Sequence, residues 1–124
     1  MTITAALLVA LSAQAPVQAV DQVDVAYDEL SAGQNEAAIR EIEANAELER
    51  DDPSRLINLG VAHARKGDVE SARAMFRAAL FSEKRQVVET SSGEWIDSRV
   101  LARTAMARLD RGELEQATMF AAAD

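Results

Sequence analysis

The chain has 124 residues, carries a net charge of −8, and is 48% hydrophobic yet only 4% aromatic, so its core must be mostly Ala, Leu, Val and Ile. One small domain fits that length, and a mature part of about 105 residues would bury roughly 65% of the surface its unfolded chain exposes. The lack of Cys excludes disulfides and thiolate zinc sites, and the acidic balance repels phosphate backbones, so no nucleic-acid partner is expected.

Residues 1–19 carry no charged side chain. Ala5-Ala6-Leu7-Leu8-Val9-Ala10-Leu11 has the length of a signal-peptide core and falls far short of the roughly 20 residues of a membrane span. Small residues offer two cleavage sites. Ala13-Gln14-Ala15 is followed by Pro16, a poor residue after a cut. Val17-Gln18-Ala19 is the better site and frees Val20. No Lys or Arg precedes the apolar run, a departure from the usual pattern that fits weak export or a start further upstream. The expectation is a signal peptide at 1–19, a periplasmic or secreted domain at 20–124, and no stable membrane insertion after cleavage. The competing reading is an apolar tail or a short first helix.

Gly33, Gly67 and Gly112 each precede an alanine by five residues: Ala38, Ala72 and Ala117. The first two glycines are 34 residues apart, and the third lies 45 further on, as if 11 residues were inserted. A period near 34 predicts stacked helical hairpins, in units of about 20–52, 53–86 and 98–124. In the first, Val23, Ala26, Tyr27 and Leu30 form one apolar stripe. Gly33 ends that helix, and a return helix from Ala37 to about Arg50 turns Ala38, Ile39, Ile42 and Ala46 inward.

In the second unit Asp52 caps a helix whose first turn holds Pro53. Leu56, Leu59, Gly60 and His63 follow at helical spacing, with Gly60 open to close approach by another backbone. Arg65 and Lys66 place cations at the helix's negative end before Gly67. The return helix carries Val69, Ala72, Met75, Phe76, Ala79 and Leu80. The insertion at 87–97 flanks a Thr-Ser-Ser-Gly turn signal with Val87, Val88, Trp95 and Ile96, so a short β-hairpin and an irregular loop both remain open. Asp97 or Ser98 then caps a fifth helix to about Asp110, carrying Val100, Leu101, Ala105, Met106 and Leu109. A last helix is expected from Glu113 to near Ala122.

These residues resemble tetratricopeptide repeats. The second unit carries the likeness best, with Leu56, Leu59, Gly60, His63, Gly67, Ala72, Phe76 and Ala79. The first keeps Val25, Ala26, Gly33, Ala38 and Ile42, but has Asn45 where the family prefers Ala. The third keeps Leu101, Ala105, Gly112 and Ala117, and departs at Thr104 and Ala121. The likeness spans roughly residues 20–123. It implies an all-α fold, a right-handed superhelix of three antiparallel hairpins whose first helices line a concave groove. It also implies a peptide or partner segment held by groove-facing residues: Val23 and Tyr27, then Ser54, Ile57, Asn58, Val61 and Arg65, then Arg99, Ala102 and Arg103. Some members clamp a peptide's terminal carboxylate. Asn58, Arg99 and Arg103 match part of that clamp, while Val23 and Tyr27 replace the rest.

Catalytic chemistry has little to stand on. His63 is the only histidine and reads as a satisfied interior residue rather than a base. No glycine-rich phosphate loop is present. The carboxylates Glu36, Glu41, Glu43, Glu47, Glu49, Asp51 and Asp52 lack calcium-loop spacing and read as a solvated helix face. No enzyme activity, cofactor or metal is expected. Trp95 is either a binding anchor or folded back onto the hairpins. Arrays of this kind need a polar capping helix, whereas the last segment is apolar, so Leu114, Phe120 and their neighbours are expected to pack on a second copy, as a homodimer, or on a partner. The function expected is a protein-interaction adaptor of the bacterial cell envelope. The alternatives are a small envelope enzyme or solute-binding domain using the groove and insertion as a pocket, and a purely structural array.

Overall fold

A computed structural model describes residues 26–114, which are mostly helical with one small sheet. The elements in chain order are α1 (Tyr27–Ser31), α2 (Asn35–Ala44), α3 (Pro53–Arg65), α4 (Val69–Phe81), β1 (Val87–Glu89), β2 (Trp95–Asp97) and α5 (Ser98–Asp110). The cleavage sites, Val23, Val25, Ala117, Phe120, Ala121 and the expected last helix beyond Leu114 lie outside the described residues.

The three turn glycines share one local geometry. Gly67 donates its N–H to the Ala64 carbonyl at 3.0 Å, and Asp68 donates to the His63 carbonyl at 2.9 Å. These two bonds close the end of α3 on its own orphan carbonyls, in the Schellman pattern. Gly67 has φ +82°, a left-handed backbone that a Cβ opposes. The same pair of bonds recurs at Gly33 and Gln34, and again at Gly112 and Glu113.

Capping follows the local chemistry. Asp52 Oδ1 accepts from Arg55 N–H at 3.0 Å while Pro53 opens α3. Asp68 Oδ1 accepts from Ser71 N–H at 3.2 Å at the start of α4. Asp97 Oδ1 accepts from Arg99 N–H at 2.9 Å at the start of α5, so Asp97 and not Ser98 is the cap.

Helix α3 is the centre of the fold. It packs most extensively on α4, and also on α2 and α5. Ten of its thirteen residues are buried as a result, including the polar Ser54 and Asn58. One core cluster joins Leu30, Ile39, Ile42, Leu59, Phe76 and Leu109 across all five helices; a second joins Leu56, Ile57, Ala79, Val88, Leu101 and Ala102. Met75 packs against both.

Several expectations are corrected. Helix α2 stops at Ala44, not near Arg50, because Asn45 is extended and its Oδ1 accepts from Glu47 N–H at 3.0 Å. A short polar side chain competes in this way with the next helical turn. Ala46 is therefore exposed, and Leu48 takes an inward place instead. Gly60 admits not a backbone but the Phe76 ring. Val69, the first residue of α4, is exposed. Val100 is exposed because it lies opposite the buried stripe Ser98, Leu101, Ala102, Ala105 and Leu109 of α5. Helix α1 begins only at Tyr27, after Ala26 in a left-handed conformation.

The insertion is a β-hairpin. Val87 pairs with Asp97, Val88 with Ile96 and Glu89 with Trp95, antiparallel. Gly93 N–H donates to the Thr90 carbonyl at 2.9 Å and Thr90 N–H to the Glu94 carbonyl at 2.8 Å, closing a three-residue loop of the kind that ends in a glycine bulge. Val88 is fully buried in the second cluster, with Ile96 packed beside it. Burying a valine stabilises by about 1.5–3 kcal/mol.

Candidate interaction surface

The expected groove residues fall into three groups. Ile57, Asn58 and Val61 are at most 1% exposed. They have no surface to give a peptide, and Ala102 is equally enclosed. The physical reason is that α3 has neighbours on several sides and the hairpin adds Val88 to the cluster that encloses Ile57.

Arg65, Arg99 and Tyr27 are half-buried and bound into the fold. Arg65 Nη1 donates to the Leu30 carbonyl at 2.9 Å, tying α3 to the end of α1. Desolvation pulls the Arg65 pKa below its ordinary value. Arg99 Nη2 donates to the Ser82 carbonyl at 3.1 Å, and its Nε is buried without a hydrogen bond. Tyr27 packs on the first core cluster. Arg103, by contrast, is exposed on α5.

The two expected interface residues within the described part also separate. Leu114 is buried against the first core cluster, so its apolar surface is already used inside the chain. Trp95 is 62% exposed, so it does not fold back onto the helices. Phe120 lies outside the described residues.

A polar junction that the residue pattern did not reveal holds the hairpin in place. Ser82 is buried; its Oγ donates to the Asp51 carbonyl at 2.8 Å and accepts from Lys84 N–H at 3.1 Å. Gln86 Nε2 donates to Asp52 Oδ2 at 3.2 Å, so one carboxylate both caps α3 and anchors the chain entering β1. Ser98 N–H donates to the Gln86 carbonyl at 2.7 Å, and Gln86 N–H to Ser98 Oγ at 3.2 Å. Arg85 Nε donates to Asp97 Oδ2 at 2.6 Å. That bond, with the Arg99 N–H on the same group, holds the Asp97 carboxyl below the usual range. The signal available in sequence was Asp97-Ser98 itself, a cap whose second role needs a neighbour 12 residues away.

Other features offer less. His63 Nδ1 is buried without a hydrogen bond and lies 3.8 Å from Asp68 Oδ2, so the expectation of a satisfied interior histidine is not met. An open cleft of about 720 Å³ lies beside the α2–α3 connection, lined by Glu43, Asn45, Ala46, Leu48, Glu49, Arg50 and Arg55. Its charges are committed in part: Lys84 pairs with Glu49, and Arg55 Nη1 donates to the Arg50 carbonyl at 3.2 Å. Among the described residues no group of three or more His, Asp or Glu is placed to hold a metal, and no helix is long and apolar enough to cross a membrane.

Exposed large apolar side chains instead fall mostly within or close to the insertion along the chain. Of the five exposed large hydrophobics among the described residues, Phe81, Val87, Trp95 and Val100 fall within one stretch, 81–100. The hairpin thus has two unlike faces: Val88 and Ile96 inward, Val87 and Trp95 outward. No family model, curated protein or solved structure matches the chain.

Proposed function

We propose that this chain is a protein-binding module, a tetratricopeptide-like array of helical hairpins whose partner is another protein. The array reading is supported by the recurrence of one Schellman turn at three glycines and by the nesting of Phe76 on Gly60. The binding reading rests on one observation: Trp95 stands exposed on a hairpin whose opposite face is built into the core. A rigidly mounted, solvent-facing Trp has the character of an interface anchor. The companion proposal is that residues 1–19 export the domain to the cell envelope.

The experiment is capture of the native partner by the full chain from envelope extract, identified by crosslinking and mass spectrometry, followed by measurement of its affinity. Trp95→Ala should weaken that complex about thirtyfold, the loss of a hot spot of about 2 kcal/mol. Absence of any stoichiometric protein partner would overturn the module reading. Recovery of the uncleaved chain in the cytosol would overturn the export reading.

A further inference from the structure

Resting on that binding-module reading, we propose that the outward face of the β1–β2 hairpin receives a basic, apolar partner segment: a lysine or arginine beside an aliphatic anchor. The strand register places Val87, Glu89, Trp95 and Asp97 on one face of the hairpin. Val87 and Trp95, diagonal neighbours there, are 58% and 62% exposed. Phe81, 73% exposed, ends α4 six residues before Val87.

Charge decides what such a face accepts. The stretch 82–97 contains two cations, Lys84 and Arg85. Lys84 pairs with Glu49 and Asp51, and Arg85 pairs with Asp97, so both positive charges are matched by carboxylates of this chain. Glu83, Glu89 and Glu94 enter no ion pair among the described residues. Residues 82–97 thus carry three carboxylates outside any ion pair among the described residues and no cation outside one. Of the flanking cations Arg77, Arg99 and Arg103, Arg99 is held at the Ser82 carbonyl and the other two lie on the helices, not on the strands.

Glu89 is the direct cross-strand partner of Trp95. Their Cβ atoms are then about 4.5–5.5 Å apart. A cation over the indole meets the ring's negative face and a carboxylate at once, and the two attractions add. A second copy of this chain brings a charge of −8 and the same carboxylates, so self-docking sets like charges together. Anionic lipid and nucleic acid are opposed for the same reason.

Trp95 is the only tryptophan, so its emission reports this face without a label. The full chain is titrated with two synthetic peptides of equal length, one alternating Lys and Leu, the other Glu and Leu. The lysine peptide should shift Trp95 emission to the blue in a saturable way, and the glutamate peptide should not. Raising ionic strength from about 0.01 M to about 1 M, which shortens the Debye length from about 30 Å to about 3 Å, should weaken lysine-peptide binding at least tenfold.

Glu89→Gln keeps the side chain's size and should lower affinity for the lysine peptide about threefold to tenfold, with an unchanged thermal melt. Equal response to both peptides, indifference to salt, or a dimer that shields Trp95 would overturn the proposal. A native partner that crosslinks through α2 or α5 and leaves Trp95 emission unchanged would overturn it too, while leaving the module reading intact. Failure to find any protein partner would instead remove the module reading.

Discussion

The ring of Phe76 occupies the space a Cβ on Gly60 would need. Such an atom would lie 2.7 Å from Cδ1 and 2.9 Å from Cζ, with Cε1 nearer still. Phe76 is fully buried, so its ring cannot swing away into solvent. This contact joins α3 to α4, the most extensively packed pair of helices.

Gly60→Ala should therefore destabilise the protein. Alanine gains about 1 kcal/mol over glycine in a helix interior. Overpacking a filled core costs about 1–3 kcal/mol, and a rigid ring this close favours the upper part of that range. A net loss of about 1–2 kcal/mol is expected, read as a lower urea midpoint. Adding Phe76→Leu should cost less than the two single changes summed, because the smaller side chain relieves the clash. Strict additivity would break the account.

Gly67→Ala tests the turn between α3 and α4 separately from packing. Nothing lies within 4 Å of a Cβ built there, so only the backbone objects. The left-handed conformation should cost about 1–2 kcal/mol with Ala, and less with Asn, whose side chain tolerates that region. Thermal melts of the two variants, with Asn above Ala, check the order.

Arg65 should matter to the fold more than to any ligand. Losing the charged donor to the Leu30 carbonyl should cost about 1.5–3 kcal/mol at that contact. Arg65→Ala should raise amide exchange in Tyr27–Ser31 before it affects α3 or α4. Uniform protection across the helices in that variant would contradict the assignment of Arg65 as the tie between α1 and α3.

Acid should weaken the Arg85–Asp97 contact and the cap of α5 as the Asp97 carboxylate takes up a proton. Its folded pKa lies below the ordinary 3.8, held down first by the Arg85 hydrogen bond. A depressed carboxyl pKa gives stability that is fully present above the unfolded value and is lost as pH falls through the folded one. The loss thus belongs below about pH 4. An NMR titration should give Asp97 a midpoint below 3.8, and Arg85→Ala should move that midpoint upward. An Asp97 midpoint unmoved by Arg85→Ala would contradict this account.

The sequence alone determined what is local. Asp52-Pro53 marks the start of a helix, because a side-chain oxygen can reach an N–H three residues on and proline lacks no bond there. Gly67 stops one because only the backbone there is asked for a left-handed φ. The spacing of Ala72, Phe76 and Ala79, or of Leu101, Ala105 and Leu109, marks an inward face by helical period alone. Tertiary structure decided everything that depends on a second neighbour. Period shows one buried face of α3 but not that α2, α4 and α5 surround it, which is why Ile57, Asn58 and Val61 are enclosed. The residues 87–97 became a hairpin because Val88 and Ile96 found the second core cluster and Gln86 found Asp52 and Ser98. Leu114 turned inward and Trp95 outward on the same principle. An apolar side chain is hidden only where the fold brings another apolar surface to meet it, and residue order does not specify that meeting.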